Sequence, residues 1–390
     1  MSKPLVSVFI PYYNDEKFLK TSIESVLNNN YQNFELILLN HATKDSCREI
    51  AHSYNDDRIK HIDMSENLGG GSGLLFQKML DVSTGKYVKV VCADDELRKD
   101  GLELLVEYME THPEKDFVFG NVEYIDKFGN DLNDDFFNNR PHFSIENDEV
   151  KCLKLFADGH SFLPWMGALI KKKILDEVKI EINKTYIYRF DCVLWITLLC
   201  HGYKMGYLCS LVANYRIHDA QVSSLANDEK CGIYIYYEDK TYYKYFLTLN
   251  DVNMAKKVWP ESKLANKLVD IRDIPFFVAY NLFINNKFWG ATSSYIDKIL
   301  NDDLMREHIE NTFGYGIREY REDILKLSKK NKKRINGFTK FKQKIYTKPV
   351  KKLGLRDISF LVIHRLYNIV TFSELRTKIK ERKNKKRYSL

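Results

Sequence analysis

The sequence predicts an α/β protein: a mostly parallel, Rossmann-like sheet flanked by helices, followed by a helical C-terminal region. Three observations carry this reading. Short β-branched apolar runs alternate with segments of helical period through the first hundred residues, and such an order implies crossover connections and parallel strands covered on both faces. Polar clusters stand at the chain ends of those strands. Beyond residue 230 the strand pattern gives way to helical segments.

Val6–Ile10 reads as the first strand, and Glu16–Asn28 as a helix because Phe18, Leu19, Ile23, Val26 and Leu27 recur on one face. A second strand follows at Phe34–Leu39, a helix over 44–55, and a short strand at Ile59–Ile62. The glycine-rich run Gly69–Gly73 leads into a helix ending at Val82. Lys86–Val91 is the next strand and Gly101–Thr111 the next helix. Phe117–Gly120 and Val122–Ile125 read as strands, with a turn at Phe128-Gly-Asn130 and a polar loop over 131–142. Leu153–Phe156, Ala168–Val178 and Val193–Leu199 read as helices, and Gly206–Asn214 as a strand. A tyrosine-rich stretch over 233–249 and the apolar Ile271–Gly290 form a second, helical unit. The expected division is 1–230, 231–325 and a tail over 326–390.

Charge separates the tail from the body. Of the net +7, residues 326–390 hold 22 Lys and Arg against Asp357, Glu374 and Glu381, a local +19 that leaves −12 on residues 1–325. The seven cysteines form no C-x-x-C pair, and their odd number argues against a disulfide scaffold and for a reducing, cytoplasmic setting. The N-terminal apolar run is too short for a signal peptide, and no segment reaches the ~18 apolar residues of a membrane span.

The sharpest feature is Lys86-Tyr-Val-Lys-Val-Val-Cys-Ala-Asp94-Asp95-Glu96, where an apolar strand ends in three carboxylates. Crowded acids repel unless a cation, hydrogen bonds or water offsets them, so a divalent metal with a phosphate-bearing substrate competes with a solvated acidic turn. The glycines at 69–73 allow close backbone approach to a diphosphate, or simply open a helix. Asp191 falls at the start of an apolar helix, as an N-cap or as a general base. Arg216 and His218 alternate at a strand end, where one suits a diphosphate and the other a metal.

In order, these pieces resemble the family-2 glycosyltransferases, inverting enzymes of GT-A fold, over roughly residues 4–225. Val6-Ser-Val-Phe-Ile-Pro-Tyr-Tyr-Asn14 is similar to that family's opening strand, and Ser25–Ile37 to its helix-to-second-strand passage. Asn67-Leu-Gly69 and Gly85–Asp95 are similar to the segments around its nucleotide site, Asp191–Trp195 to its acidic motif before a Leu-Trp helix, and Tyr215–Asp219 to its closing motif. The resemblance implies transfer of a sugar from a nucleoside-diphosphate donor, UDP favoured, to a glycan or glycolipid hydroxyl, as in bacterial surface polysaccharide synthesis. It implies Asp191 as general base, and Pro11, Tyr13, Asn14, Asn40, Asn67, Gly69, Asp94 and Arg216 around the donor. Asp94, Asp95 and His218 would hold Mg²⁺ or Mn²⁺.

Some positions depart from the pattern. The family's Asp-Asp-Gly-Ser-like run reads Asn40-His41-Ala42-Thr43, Cys92 replaces the first acid of an Asp-x-Asp motif, and Leu74-Leu75 stands where an Arg-Asn pair is common. A nucleotidyltransferase shares strand-end acids, yet would carry a basic glycine-rich loop where this chain has Pro11–Asn14. A third reading is a non-catalytic, membrane-associated homologue.

In the tail, Ile358–Phe372 is an apolar helical stretch between lysine clusters, suited to an anionic membrane surface on the inner leaflet. Packing on the second domain or on another subunit, as in a homo-oligomer, is the alternative. Nucleic-acid binding explains the lysines but not the apolar helix, and no nucleic-acid partner is expected.

Overall fold

The computed structural model describes residues 3–68, 72–132, 148–160, 163–178, 186–219, 221, 237–239, 241–285 and 289–330. Gly69 and the tail beyond 330 lie outside them. Eight strands form one sheet: β1 (Val6–Tyr12), β2 (Phe34–Asn40), β3 (Ile59–Asp63), β4 (Tyr87–Val90), β5 (Glu96–Leu97), β6 (Phe117–Ile125), β7 (Ala168–Lys171) and β8 (Met205–Arg216), in the order β3-β2-β1-β4-β7-β6-β8-β5.

The first half of the sheet is parallel. β1 runs in register with β2 from Val6 opposite Phe34 to Tyr12 opposite Asn40, and β3 continues the row with Asp63 opposite Asn40. β4 flanks β1 on the other side, with Phe9 opposite Val90. Three strand ends are thereby aligned at Tyr12, Asn40 and Asp63, while the chain after β4 leads on to the acids. α1 (Leu19–Leu27) and α2 (Cys47–His52) supply Ile23, Val26 and Ala51 to the fully buried layer that also holds Ile10, Leu36 and Leu38.

The second half mixes directions. β7 pairs antiparallel with both β4 and β6, β6 pairs parallel with β8, and β5 pairs antiparallel with β8. Ala168–Lys171 is therefore a strand, with only Lys172–Val178 helical, because four consecutive apolar and long residues sit between two open strand edges. Residues 117–125 form one strand, irregular at Gly120–Val122. A side chain on Gly120 would come within 2.5 Å of Val212, so the close approach of β6 and β8 requires glycine there.

Away from the site, a buried network fixes the opposite end of the sheet. Glu35 in β2 accepts from Ser7 Oγ (2.5 Å), Thr84 N (2.6 Å) and Lys60 Nζ (2.5 Å), while Ser7 Oγ also accepts from Gly85 N (2.9 Å). Burial works against ionisation of Glu35, but these donors outweigh it and its pKa is lowered.

The remaining helices are α3 (Ser72–Val82), α4 (Gly101–Thr111), α5 (Glu149–Ala157), α6 (Lys172–Val178), α7 (Phe190–Cys200), α8 (Val252–Val258), α9 (Ile274–Ile284), α10 (Trp289–Leu300), α11 (Asp303–Phe313) and α12 (Ile317–Lys330). The chain divides into two compact units, one of Met1–Leu225 with Thr241–Val278, the other of Ala226–Lys240 with Ala279–Leu390. Within the second, Asp302 caps α11 by accepting from Leu304 N and Met305 N, and Gly314 ends that helix in the left-handed conformation at φ 62°. Tyr280 packs edge-on against Tyr315, and Phe283 against Tyr320. Among the described residues no helix is long and apolar enough to cross a membrane.

Candidate active site

Two non-glycine residues with positive φ stand at neighbouring strand ends, Asn14 after β1 (58°) and Ala42 after β2 (54°). Such backbone is held only where its surroundings over-determine it. Here Asn14 N donates to Thr43 Oγ1 (2.9 Å), and Asn14 Oδ1 accepts from Thr43 Oγ1 (3.1 Å) and Lys44 N (2.9 Å). Asn40 is engaged on both sides: Oδ1 accepts from Thr43 N (2.9 Å) and Nδ2 donates to Asp63 Oδ1 (2.9 Å). His41 is buried, which lowers its pKa, and its Nε2 accepts from Leu68 N (2.9 Å). That bond ties the half-buried Asn67 and the entry to the glycine run against the end of β2. Pro11 is half-buried within β1, and the exposed Tyr13 meets the His41 ring edge-on at 6.0 Å.

The acids follow β4, the neighbour of β1 on the side away from β2. Asp94 Oδ2 is 3.1 Å from His218 Nε2, and His218 packs on Phe18 at 4.6 Å. Asp95 turns inward: it is 2 % exposed and its Oδ1 accepts from Arg216 N (2.7 Å). Burial, and then the charge of Asp94, push the Asp95 carboxyl well above its usual range. The Arg216 guanidinium is bonded internally, donating to Asp94 O (2.9 Å), Asp126 O (3.2 Å) and the carboxylate of Glu96, beside the Phe18 ring. Arg216 thus binds the end of β8 to the acidic turn. A cleft of about 330 Å³ opens here, lined by Asn14, Asp15, Glu16, Lys17, Phe18, Lys44, Asp45 and His218. Asp15, whose side chain accepts from Tyr13 N (3.3 Å), is pushed up to about 6 by burial and by Asp94.

Cys92, Asp94 and Asp95 offer ligand atoms within 4.8 Å of one another. Carboxylate oxygens suit Mg²⁺ or Mn²⁺, and of these groups Asp94 meets His218, which lines the cleft, while Asp95 is tied to Arg216.

Asp191 sits in the first turn of α7, its Oδ1 accepting from Cys192 N (2.8 Å), and burial raises its pKa. Residues 192–200 are all buried, which fixes the helix. Phe190 stacks on Trp165 at 5.8 Å, and Met166 accepts the Cys92 N–H on its Sδ (3.3 Å). This apolar chain links the Asp191 helix to the acidic strand end.

The structure thus gathers Asn14 and His218 at one cleft, pairs Asp94 with His218 and Asp95 with Arg216, and leaves Asn40 bonded to Asp63. Asp15 and Asp63 were not picked out by the sequence pattern, Phe18 entered only as a helix-face residue, and Glu96 only as part of the acidic run. Their signal was available only as neighbourhood: Asp15 follows Asn14 directly, and Glu96 is the third acid of the run.

A parallel half-sheet with aligned strand ends, continued by antiparallel strands, is a GT-A-type α/β architecture. The chain belongs to the family-2 glycosyltransferases: the model for Glycosyl transferase family 2 matches residues 7–178, and the chain is an enzyme of that family. An uncharacterized glycosyltransferase of Methanocaldococcus jannaschii is 32% identical over 248 residues, 63% of this chain and 81% of that protein. A putative teichuronic acid biosynthesis glycosyltransferase of Bacillus subtilis, TuaG, is 26% identical over 57% of this chain and 82% of its own. Among solved structures, S. aureus TarS 1–349 in complex with UDP superposes with a TM-score of 0.50 at 15% identity, covering 82% of this chain and 89% of that one.

Proposed function

We propose that the protein transfers a sugar from a nucleoside-diphosphate donor to a hydroxyl of a glycan or glycolipid, with inversion at the anomeric carbon, in the assembly of a surface polysaccharide. The observation that carries this is the Asp94–His218 contact, His218 also lining a cleft bounded by Asn14. UDP is the favoured carrier, as in the complex of the S. aureus neighbour. The teichuronic acid role named for the B. subtilis relative supports a surface polymer as product.

Asp94 and His218 would hold a divalent metal, Mg²⁺ or Mn²⁺, which offsets charge on the leaving diphosphate. Arg216 keeps Asp94 and Asp95 in place through the turn. Lys17 and Lys44 line the cleft among Asp15, Glu16 and Asp45, so its own side chains carry no surplus of positive charge and the metal would offset the diphosphate. Asp191 takes the proton of the acceptor hydroxyl as its oxygen bonds to the anomeric carbon and the bond to the diphosphate breaks on the opposite face. No covalent enzyme intermediate is required.

The test is a donor screen, measuring hydrolysis and transfer for UDP- and GDP-sugars with Mg²⁺ or Mn²⁺. Asp94→Asn should lose nucleotide-sugar turnover and weaken nucleotide binding. If no donor is bound or turned over and Asp94→Asn leaves nucleotide affinity unchanged, the proposal fails.

A further inference from the structure

Between the two proposed chemical ends of the site lies a tryptophan that neither uses. Trp165 belongs to an aromatic cluster with Phe76 (5.3 Å), Phe190 (5.8 Å) and Trp195 (5.3 Å). These partners are 4, 2 and 0 % exposed, whereas Trp165 is only half-buried. Its position is bracketed: Phe190, which stacks on it, directly precedes Asp191, and Met166, which follows it, touches Cys92 at the acidic strand end.

The turn that presents this ring, Trp165–Gly167, is anchored from several sides. Trp195 Nε1 donates to Leu163 O (3.1 Å), and Gly167 N to Pro164 O (3.1 Å). The fully buried Lys89 donates from Nζ to Met166 O. A buried ammonium is costly, and burial brings Lys89 down to about 7. Gly167 lies so near β6 that a side chain there would come within 2.5 Å of Gly120 O. A half-buried tryptophan held this firmly is preorganised for a ligand with a flat apolar face and polar edges.

We propose that Trp165 is a sugar-binding residue: a pyranose ring passing between Asp94 and Asp191 packs its C–H face on the indole. This rests on the transferase reading above. The ring could belong to the donor's sugar or to the acceptor, and the experiment separates them. Trp165→Leu and Trp165→Phe are compared with the wild-type chain, using UDP, UDP-glucose, UDP-N-acetylglucosamine and GDP-mannose for affinity and octyl glycosides as acceptors. Trp165→Leu should lower kcat/KM roughly ten- to a hundredfold, and Trp165→Phe should recover most of it, since the aromatic face is what matters. A loss of affinity for nucleotide sugar but not for bare nucleoside diphosphate identifies the donor's sugar. A raised octyl-glycoside KM with unchanged donor affinity identifies the acceptor. If Trp165→Leu matches the wild type in both, the proposal is overturned while the transferase reading stands. The transferase reading fails separately if the wild-type chain neither binds nor turns over any donor and Asp94→Asn leaves nucleotide affinity unchanged.

Discussion

The proposed base, Asp191, would set stability against chemistry at a single residue. Burial raises its pKa, so the folded chain binds a proton there more tightly than the unfolded chain does. Its contribution to stability is therefore present at low pH and is lost as pH rises through the folded pKa, which makes the ionised form a burden near neutrality. Asp191→Asn should melt at a higher temperature than the wild type at pH 7–8, bind donor normally, and lose about 10²–10⁴-fold in kcat. The acid limb of the wild-type rate profile should lie above that of an ordinary carboxylate. Unchanged turnover by Asp191→Asn rejects the base assignment. Asp94 and Asp191 were legible in the sequence because each interrupts a strongly apolar element, where a charge needs a reason. Asp15 was not, since nothing local to Tyr13-Asn14-Asp15 shows that the left-handed turn at Asn14 directs it toward Asp94.

At the scale of elements, register decides what the strand ends can do. The parallel half of the sheet was readable because its strands are long, apolar and separated by helices of clear period. β7 was not, because a four-residue apolar run followed by a helix carries no period of its own, and the two-residue β5 exists only through its pairing with β8. Two predictions belong here. Gly167→Ala should destabilise by about 1–3 kcal/mol, since its methyl meets backbone rather than a movable side chain, and should displace the Trp165 turn. Melting temperature and tryptophan fluorescence measure both effects. Glu35→Gln should cost about 1–3 kcal/mol at neutral pH by weakening the Ser7, Lys60 and Thr84 network. The folded pKa of Glu35 is depressed, so its contribution is present above the unfolded value near 4.5 and is lost as pH falls through the folded value. Denaturant midpoints of wild type and variant should therefore converge in acid; a constant gap down to low pH counts against this account.

For the whole molecule, the unresolved question is what the opposed charges of body and tail accomplish. Helix α12 runs to Lys330, with Leu327 buried, so a cut that spares the helical unit belongs after that residue. Residues 331–390 still carry 19 of the tail's 22 basic residues, together with the apolar stretch Ile358–Phe372. Lysines of this density bind an anionic bilayer through charge, an attraction screened over ~10 Å at 0.1 M salt, whereas an inserted apolar helix face resists salt. The full chain should therefore co-sediment with phosphatidylglycerol vesicles and not with phosphatidylcholine vesicles, and high salt should release only part of it. A chain ending at Lys330 should stay in the supernatant yet transfer sugar to a soluble acceptor as the full chain does. If the cut leaves vesicle binding intact, the tail is not the membrane contact. If it instead changes the mass measured by light scattering, the apolar stretch serves subunit packing. Membrane docking makes chemical sense of the transferase reading, because a glycolipid acceptor presents its hydroxyl at the bilayer surface, and an enzyme held there meets it at high effective concentration.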